Sequence, residues 1–347
     1  MFVNDLPGSS RFNTYRFNAE MIDVNPPWRR KTGMKKSLQK VKFLIAGSML
    51  ILILSAGLLQ AAQTYSNPVI SEIGPADPTA IFYEGKYYLY PTGDNRSYHV
   101  YTSDDLVNWI KGQRVFIPGG RNVWAPDVFY NRSDGRFYLY YTANWRIGFA
   151  VADKPDQNFE DKGIFIDGAI DPHMFQDSDS RYYLYFVKRG FEIHVQKMTD
   201  PLHLTGTSKL IIKPTIPWEA KVTEGPWMIK HNDIYYLLYS GYGANTKNYA
   251  VGYATANNPM GPFTKYPGNP IIKGGNGIYG PGHGSVTKDS AGNLWHVYHQ
   301  KKGPDVGWDR FICIDPMWFD PNGVLHGKAT RANPQPAPII KAPPKTH

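Results

Sequence analysis

Five ionisable residues recur at a nearly constant distance before an aromatic segment that the chain repeats. They are Asp77, Asp127, Asp171, Glu224 and His283, and each lies ten or eleven residues before the third residue of its copy, which is Tyr87, Phe137, Tyr182, Tyr235 or Leu294. A proline lies within two residues of each and would fix the local φ. A single Asp beside Pro is usually a turn residue. Five residues in register instead indicate a gathered site. Because clustered carboxylates repel one another, a purely structural role is costly, which favours a metal site or an acid/base site.

The repeated segment begins at residue 85 as Gly-Lys-Tyr-Tyr-Leu-Tyr. Its five copies span residues 85–90, 135–140, 180–185, 233–238 and 292–297, at steps of 50, 45, 53 and 59 residues. Steps of this size are typical of a repeated supersecondary unit. In each copy a short apolar run, a turn and an aromatic run predict a β-hairpin, in the first copy over residues 79–83 and 86–92.

Further strands follow each hairpin. We predict third strands at residues 99–103, 147–152, 192–198, 249–255 and 310–314, and fourth strands at 114–117, 163–166, 209–212 and 270–273. Four antiparallel strands in each of five units predict an all-β fold, a five-bladed β-propeller. The first strand of a propeller blade is innermost, so the five ionisable residues should converge at one end of the central channel. The period-2 patterning excludes a stack of helical repeats.

The residues around these positions resemble the blade signatures of glycoside hydrolase family 43. The matching motifs are Ala76-Asp77-Pro78, Trp124-Ala125-Pro126-Asp127, Ile170-Asp171-Pro172, Thr223-Glu224-Gly225-Pro226 and Gly282-His283-Gly284-Ser285. The resemblance covers roughly residues 65–330. It implies an inverting glycosidase that hydrolyses α-L-arabinofuranosidic or β-D-xylosidic bonds in plant-type polysaccharides or oligosaccharides.

The resemblance also implies a role for three carboxyl groups. Asp77 matches the general base of the family, Glu224 the general acid, and Asp171 the third carboxylate, which orients the acid. Inversion needs an ionised carboxylate to activate water and a protonated one to donate to the leaving oxygen. We expect the negative charge of Asp171 to raise the pKa of Glu224, so that the acid keeps its proton near neutrality.

Five further residues are candidates for substrate binding. Arg310 matches a family arginine that reaches the sugar or a catalytic carboxylate. His283 matches the family's axial histidine, which often helps to hold a calcium ion or a water molecule. Trp124 and Trp145 are candidates for stacking on sugar rings. Asp127 is predicted to point inward, although the resemblance gives it no catalytic role. No cofactor is expected to be required, apart from a structural calcium at His283.

Two alternatives remain open from the sequence. The first is a propeller that binds glycans without cleaving them. The presence of Asp77, Asp171 and Glu224 argues against it, because such a protein has no need for a base and an acid on opposite faces of a sugar. A related five-bladed glycosidase would act on galactose, anhydrogalactose or galactofuranose linkages, and the blade signatures do not encode that choice. No appended carbohydrate-binding domain is visible after the fifth unit, which favours an exo-acting enzyme.

The first 62 residues differ from the rest. Four lysines precede an uncharged apolar run at 43–59, and Ala61-Ala62 follow it, a pattern typical of a secretory signal. We expect translation to start at Met34, the signal to be cleaved, and the protein to be exported to the periplasm or outside the cell. The alternative is a retained membrane anchor. The predicted domains are a leader at 1–62, a propeller at 63–332, and a Pro-rich tail at 333–347 that is a surface extension or disordered.

The charge does not indicate nucleic-acid binding. The formal net charge is +9, but residues 1–62 hold nine Lys and Arg against three Asp and Glu, so the remainder is near +3. Cys313 is the only cysteine, which excludes an internal disulfide and favours a buried apolar role. We expect a carbohydrate as the partner, no stable membrane insertion after cleavage, and a monomer.

Overall fold

The computed structural model describes residues 63–341. The predicted leader, with its signal and start site, lies outside the described residues, as do residues 342–347. Between residues 63 and 341, helical structure is limited to one short 3₁₀ turn, Pro217–Glu219. None of the helical structure there is long and apolar enough to cross a membrane.

Five four-stranded antiparallel sheets and one two-stranded sheet make up the described chain, which confirms the all-β prediction. The five larger sheets follow the chain order as blades 1 to 5, and β1 pairs with β22. The strands are β1 (Thr64–Tyr65); in blade 1, β2 (Ala76–Tyr83), β3 (Lys86–Thr92), β4 (Tyr98–Ser103) and β5 (Ile110–Phe116); in blade 2, β6 (Trp124–Asn131), β7 (Arg136–Ala143), β8 (Arg146–Ala152) and β9 (Glu160–Asp167); in blade 3, β10 (Ala169–Gln176), β11 (Tyr182–Lys188), β12 (Glu192–Asp200) and β13 (His203–Ile212); in blade 4, β14 (Thr223–His231), β15 (Ile234–Gly241), β16 (Ala250–Ala256) and β17 (Thr264–Lys265); in blade 5, β18 (Tyr279–Lys288), β19 (Leu294–Lys301), β20 (Arg310–Phe319) and β21 (Leu325–Gly327); and β22 (Gln335–Pro336).

The first strands of the blades form a closed ring. β2 contacts β6, β6 contacts β10, β10 contacts β14, β14 contacts β18, and β18 returns to β2. Five hydrophobic clusters each lie between two neighbouring blades. The predicted five-bladed propeller is therefore confirmed, with its core divided among the blade interfaces.

The repeated aromatic segment forms the second strand of each blade and joins neighbouring blades. In blades 1 to 3 the last tyrosine of the repeat is fully buried and donates its hydroxyl to a proline carbonyl of the next blade. The pairs are Tyr90 with Pro155 at 2.6 Å, Tyr140 with Pro201 at 2.6 Å, and Tyr185 with Pro259 at 2.7 Å. Tyr recurs there because it fills the apolar interface and satisfies its hydroxyl at the far side.

The outer strand of blade 4 lies elsewhere than the sequence predicts. The predicted strand at 270–273 is replaced by β17, and Ile272 forms only an isolated bridge to Val251. The Asn269 side chain accepts from the backbone N–H of Tyr253 at 3.0 Å and donates to the Tyr253 carbonyl at 2.8 Å. It therefore makes the two hydrogen bonds that the backbone of a neighbouring strand would make to Tyr253. Pro270 cannot donate to a ladder, which also disfavours a strand there.

Both ends of the described chain pack against blade 5. β1 pairs with β22, and Ile70 forms a bridge to Ile312 on β20. The backbone N–H of Ile339 donates to Asp289 at 3.0 Å. Residues 333–341 thus lie on the propeller, beyond the boundary at residue 332 that the sequence suggests.

Candidate active site

Each inner strand is interrupted near its start by a β-bulge, where the register with the second strand shifts. One residue in each bulge has a positive φ: Asp77 (48°), Ala125 (42°), Asp171 (56°), Gly225 (59°) and His283 (41°). For residues other than Gly this conformation is costly and persists only where the surroundings enforce it. Three of the five carry ionisable side chains, and bulges of this kind re-aim side chains at functional sites.

The even sequence spacing conceals two offsets. Glu224 lies one residue before the bulge residue Gly225, and Asp127 lies two residues after the bulge residue Ala125. The prediction that every unit places its ionisable residue at the same structural point is therefore wrong for these two. In blade 2 the cause is the hairpin turn, which has four residues between β6 and β7 against two between β2 and β3.

The backbone N–H of the bulge residue is held by the preceding blade. A side chain at the same place on the second strand accepts it in four cases: Thr92 for Ala125 at 2.7 Å, Thr142 for Asp171 at 3.1 Å, Ser240 for His283 at 2.9 Å, and His299 for Asp77 at 3.3 Å. Blade 3 has Val187 at that place, as its pairing with Ile170 shows. There Gly225 donates its N–H to the Asp171 carboxylate instead, at 3.1 Å.

Asp77 is a buried carboxylate surrounded by cationic and imidazole groups. Its Oδ1 lies 3.0 Å from Arg310 Nη1, 3.1 Å from His299 Nδ1 and 3.5 Å from His283 Nδ1. Burial raises its pKa, but Arg310, His283 and His299 outweigh burial and hold the pKa well below the usual range. Burial, aided by the charge of Arg310, lowers the pKa of His299 itself to about 4. Asp77 is thus ionised at neutral pH.

Glu224 is buried beside a tyrosine rather than a cation. Tyr249 donates its hydroxyl to Glu224 Oε1 at 2.8 Å, and the Tyr249 ring stacks on His299 at 5.5 Å between centroids. Burial raises the pKa of Glu224 to about 7, with the Tyr249 hydrogen bond opposing the shift and the charge of Asp77 adding to it. Glu224 therefore keeps its proton below about pH 7 and is about half protonated at that pH.

Asp171 is a buried carboxyl group on which the charges of the other two act. Burial raises its pKa to about 7, with the charge of His283 opposing and those of Glu224 and Asp77 adding. The charge that raises the pKa of Glu224 comes from Asp77. Asp171 and Glu224 also interact, since the charge of Glu224 raises the pKa of Asp171, and the expected effect of the Asp171 charge on Glu224 stays a prediction. Asp171 also supports the backbone beside Glu224 by accepting the Gly225 N–H.

His283 lies between two of the carboxylates. Its Nδ1 is 3.5 Å from Asp77 and 3.9 Å from Asp171. A side chain at Gly225 would place its Cβ 2.8 Å from the His283 ring, so only glycine fits there. Calcium takes six to eight oxygen ligands, which can include water, and Asp77 is already engaged by Arg310, so the structural calcium expected at His283 stays a prediction. Residues 63–341 contain no group of three or more His, Cys, Asp or Glu arranged to hold a metal.

Asp127 lies in the channel and is used by neighbouring blades. Its Oδ1 accepts from Thr79 at 3.1 Å, and its Oδ2 accepts from the Met174 backbone at 2.7 Å and lies 3.3 Å from His173. The cavity that these residues line has a volume of about 20 Å³, enough for about one water molecule. Asp127 thus links three blades inside the channel.

The two predicted tryptophans lie at separate points of blade 2. Trp124 is half-buried and donates its indole N–H to Asn95 at 2.8 Å. Trp145 lies in the turn between β7 and β8 and packs edge-on against Phe191 at 6.3 Å. Sugar stacking by either residue stays a prediction.

Sequence reasoning missed Tyr249, His299 and Thr142. His299 and Thr142, with Thr92 and Ser240, occupy the same place in their blades, five residues after the third residue of each repeat. A polar residue recurring at that offset was a usable signal. Tyr249 carried none, because it lies just before β16 in a connection that differs between blades.

Comparisons with known proteins agree with this arrangement. The sequence model of glycosyl hydrolases family 43 matches residues 65–325. A β-D-galactofuranosidase of Aspergillus niger is 32% identical over 282 residues, with 72% of this chain and 81% of that protein covered. A xylosidase/arabinosidase of Bacteroides ovatus is 27% identical over 316 residues, with 72% and 93% covered. The crystal structure of a thermostable family-43 glycoside hydrolase has a TM-score of 0.74 and 35% identity, covering 80% of this chain and 100% of that chain.

Proposed function

The chain belongs to glycosyl hydrolases family 43 and is a glycoside hydrolase, and from this we propose that Asp77, Glu224 and Asp171 carry out its reaction. The reaction is hydrolysis of an α-L-arabinofuranosidic or β-D-xylosidic bond with inversion. One observation supports the assignment above all: the surroundings of Asp77 and Glu224 shift their pKa values in opposite directions. Opposite shifts in one site are how acid and base roles are divided.

In the proposed mechanism Asp77 is the base. As the water oxygen bonds to the anomeric carbon, Asp77 removes a proton from that water. The ion pair with Arg310 keeps Asp77 ionised and fixes its orientation. Arg310 is therefore proposed as a residue that positions the base.

Glu224 is the proposed acid. Its proton passes to the glycosidic oxygen as the bond to the anomeric carbon breaks, which leaves a neutral alcohol and an ionised Glu224. Solvent then returns a proton to Glu224 and takes one from Asp77. Carboxyl groups supply both proton transfers, so we propose that the reaction needs no cofactor and continues in the presence of a metal chelator.

We propose that Asp171 positions the acid. Its carboxylate accepts the N–H of Gly225, the residue that follows Glu224. Because the charge of Glu224 acts on Asp171, the two groups titrate as a coupled pair, and a proton lost from one raises the pKa of the other. Asp171 is thus proposed both to orient Glu224 and to help it keep its proton.

The test combines substrate choice with one substitution. Aryl α-L-arabinofuranoside and β-D-xyloside are offered to the wild type and to Glu224→Gln, and the anomer formed first is read by proton NMR. We expect inverted product and a loss of turnover of about 10²- to 10⁴-fold in the variant. The control is Glu160→Gln, at the exposed outer strand of blade 2. Retained configuration, or full activity in Glu224→Gln, would reject the assignment.

A second candidate substrate is a β-D-galactofuranoside, which the 32% identity to the Aspergillus niger enzyme favours. β-D-Galactofuranose shares the ring stereochemistry of α-L-arabinofuranose and carries an extra hydroxymethyl group outside the ring. The ratio of kcat/KM between the two aryl furanosides decides between them. A preference for the galactofuranoside of more than about tenfold would make it the substrate class.

The remaining features of the proposal concern the whole enzyme. We propose exo-action, which predicts that oligosaccharides release only monosaccharide at early times. We also propose export after cleavage of the leader, and a monomeric state. N-terminal sequencing of secreted protein and sedimentation analysis test these two points.

A further inference from the structure

An exposed tryptophan that sequence reasoning did not select lies beside the candidate site. Trp308 belongs to the connection between β19 and β20, and 62% of its surface is exposed. The Arg310 guanidinium lies 5.2 Å from the centre of the Trp308 ring and bonds to Asp77 at 3.0 Å. The indole is therefore separated from the proposed base by a single guanidinium group.

The segment that carries Trp308 is held in place on both sides. Lys301 donates to the Gly307 carbonyl at 2.5 Å, and the Lys302 N–H donates to the Asp309 carbonyl at 2.8 Å. The Gly307 N–H donates to the Asn245 carbonyl at 2.9 Å, in the connection between β15 and β16. Trp308 thus stands between two anchored neighbours, so its indole is presented to solvent by a fixed backbone.

The anchor to Asn245 places this segment against blade 4, the blade that carries Glu224. The oxygen that Glu224 would protonate belongs to the leaving group, so the sugar on that side must lie near Glu224. Val306, two residues before Trp308, is 74% exposed and adds apolar surface to the same segment. A flat, rigid, half-covered indole suits the apolar face of a sugar ring.

We propose that Trp308 is the stacking platform for the sugar on the leaving-group side of the bond. This proposal depends on the proposed function. Because the platform contacts only the leaving group, its contribution should disappear for a ligand that has no sugar there. Stacking present in both the bound substrate and the transition state changes KM more than kcat.

The experiment compares a disaccharide of the sugar that the enzyme cleaves with the corresponding monosaccharide as a competitive inhibitor. In Trp308→Ala we expect kcat/KM for the disaccharide to fall about tenfold, mainly through KM, and the inhibition constant of the monosaccharide to stay within about twofold. Trp308→Phe should recover most of the loss. The control is Trp318→Ala, another exposed tryptophan, which stacks on His326 at 5.6 Å on β20 and β21.

Three results would overturn the proposal. Unchanged disaccharide kinetics in Trp308→Ala would remove Trp308 from the subsite. An equal loss for disaccharide and monosaccharide would show that Trp308 acts only by holding Arg310. A folded wild type that cleaves no glycoside would reject the proposed function first and this inference with it, which distinguishes the two failures.

Discussion

Asp77 and Glu224 are both buried carboxyl groups, yet their surroundings act on them in opposite senses. Burial alone raises the pKa of a carboxyl group. At Asp77 the Arg310 guanidinium and two imidazoles outweigh burial, and the pKa falls. At Glu224 the Tyr249 hydroxyl opposes burial only in part, so the pKa rises to about 7. The difference follows from which neighbour each residue has, and single substitutions can test it.

Tyr249 offers a test of the acid through the pH profile. Its hydroxyl hydrogen-bonds to Glu224 and stabilises the ionised form, which lowers the pKa. In the wild type, kcat/KM should fall above about pH 7 as Glu224 loses its proton. In Tyr249→Phe the pKa of Glu224 rises, so this alkaline limb should move to higher pH. No acidic limb from Asp77 is expected, because its pKa lies far below the range measured.

The matched control is Tyr266→Phe, a partly exposed tyrosine that stacks on Tyr253 in the outer part of blade 4. It should leave the profile unchanged. An alkaline limb that stays in place or moves to lower pH in Tyr249→Phe would contradict the assignment of that limb to Glu224.

At the level of the strands, the sequence was sufficient to find the blades and insufficient to align them. The second strand of each blade is buried at the blade interfaces and therefore carries the repeated aromatic segment. This segment is what predicts the five hairpins. The bulges are different, since their positions depend on turn lengths that vary between blades. Asp127 illustrates this. Because the hairpin turn of blade 2 is two residues longer than that of blade 1, Asp127 lies at the same distance from the repeat as Asp77 but two residues after the bulge residue.

The bulge of blade 3 provides a prediction with its own matched control. Thr142→Val removes the acceptor of the Asp171 N–H, and Thr92→Val removes the equivalent acceptor at Ala125. Leaving one buried donor unpaired should lower the free energy of unfolding by about 1–3 kcal/mol in each variant. Only Thr142→Val should strongly reduce kcat, because the Asp171 carboxylate supports the backbone beside Glu224. Urea unfolding and kcat are measured for both.

Equal losses of kcat in the two variants would show that the hydroxyls merely stabilise the fold. A loss of stability without any loss of kcat in Thr142→Val would remove Asp171 from its proposed positioning role.

For the whole molecule, segments outside the repeats reinforce the closure of the ring that β18 makes with β2. β21 covers only one half of β20, and residues 69–74 cover the other half. Gly74 donates its N–H to the Arg310 carbonyl at 2.9 Å, so the closing segment also supports the residue that holds Asp77. The sequence did not locate the fourth strand of the fifth unit. These contacts join residues more than 200 positions apart, and no local pattern encodes them.

Asn67 tests this closure. It is buried, donates to the Ile314 carbonyl at 2.7 Å and to Asp315 at 3.0 Å, and accepts the Ile314 N–H at 2.9 Å. Asn67→Ala leaves buried groups on β20 unpaired and should lower the free energy of unfolding by about 1–3 kcal/mol. Because the same strand begins at Arg310, activity should be lost at a lower urea concentration than the tertiary structure that tryptophan fluorescence reports. Asn322→Ala, in the exposed hairpin turn between β20 and β21, should change neither transition. Coincident loss of activity and structure in Asn67→Ala would separate the closure from the site.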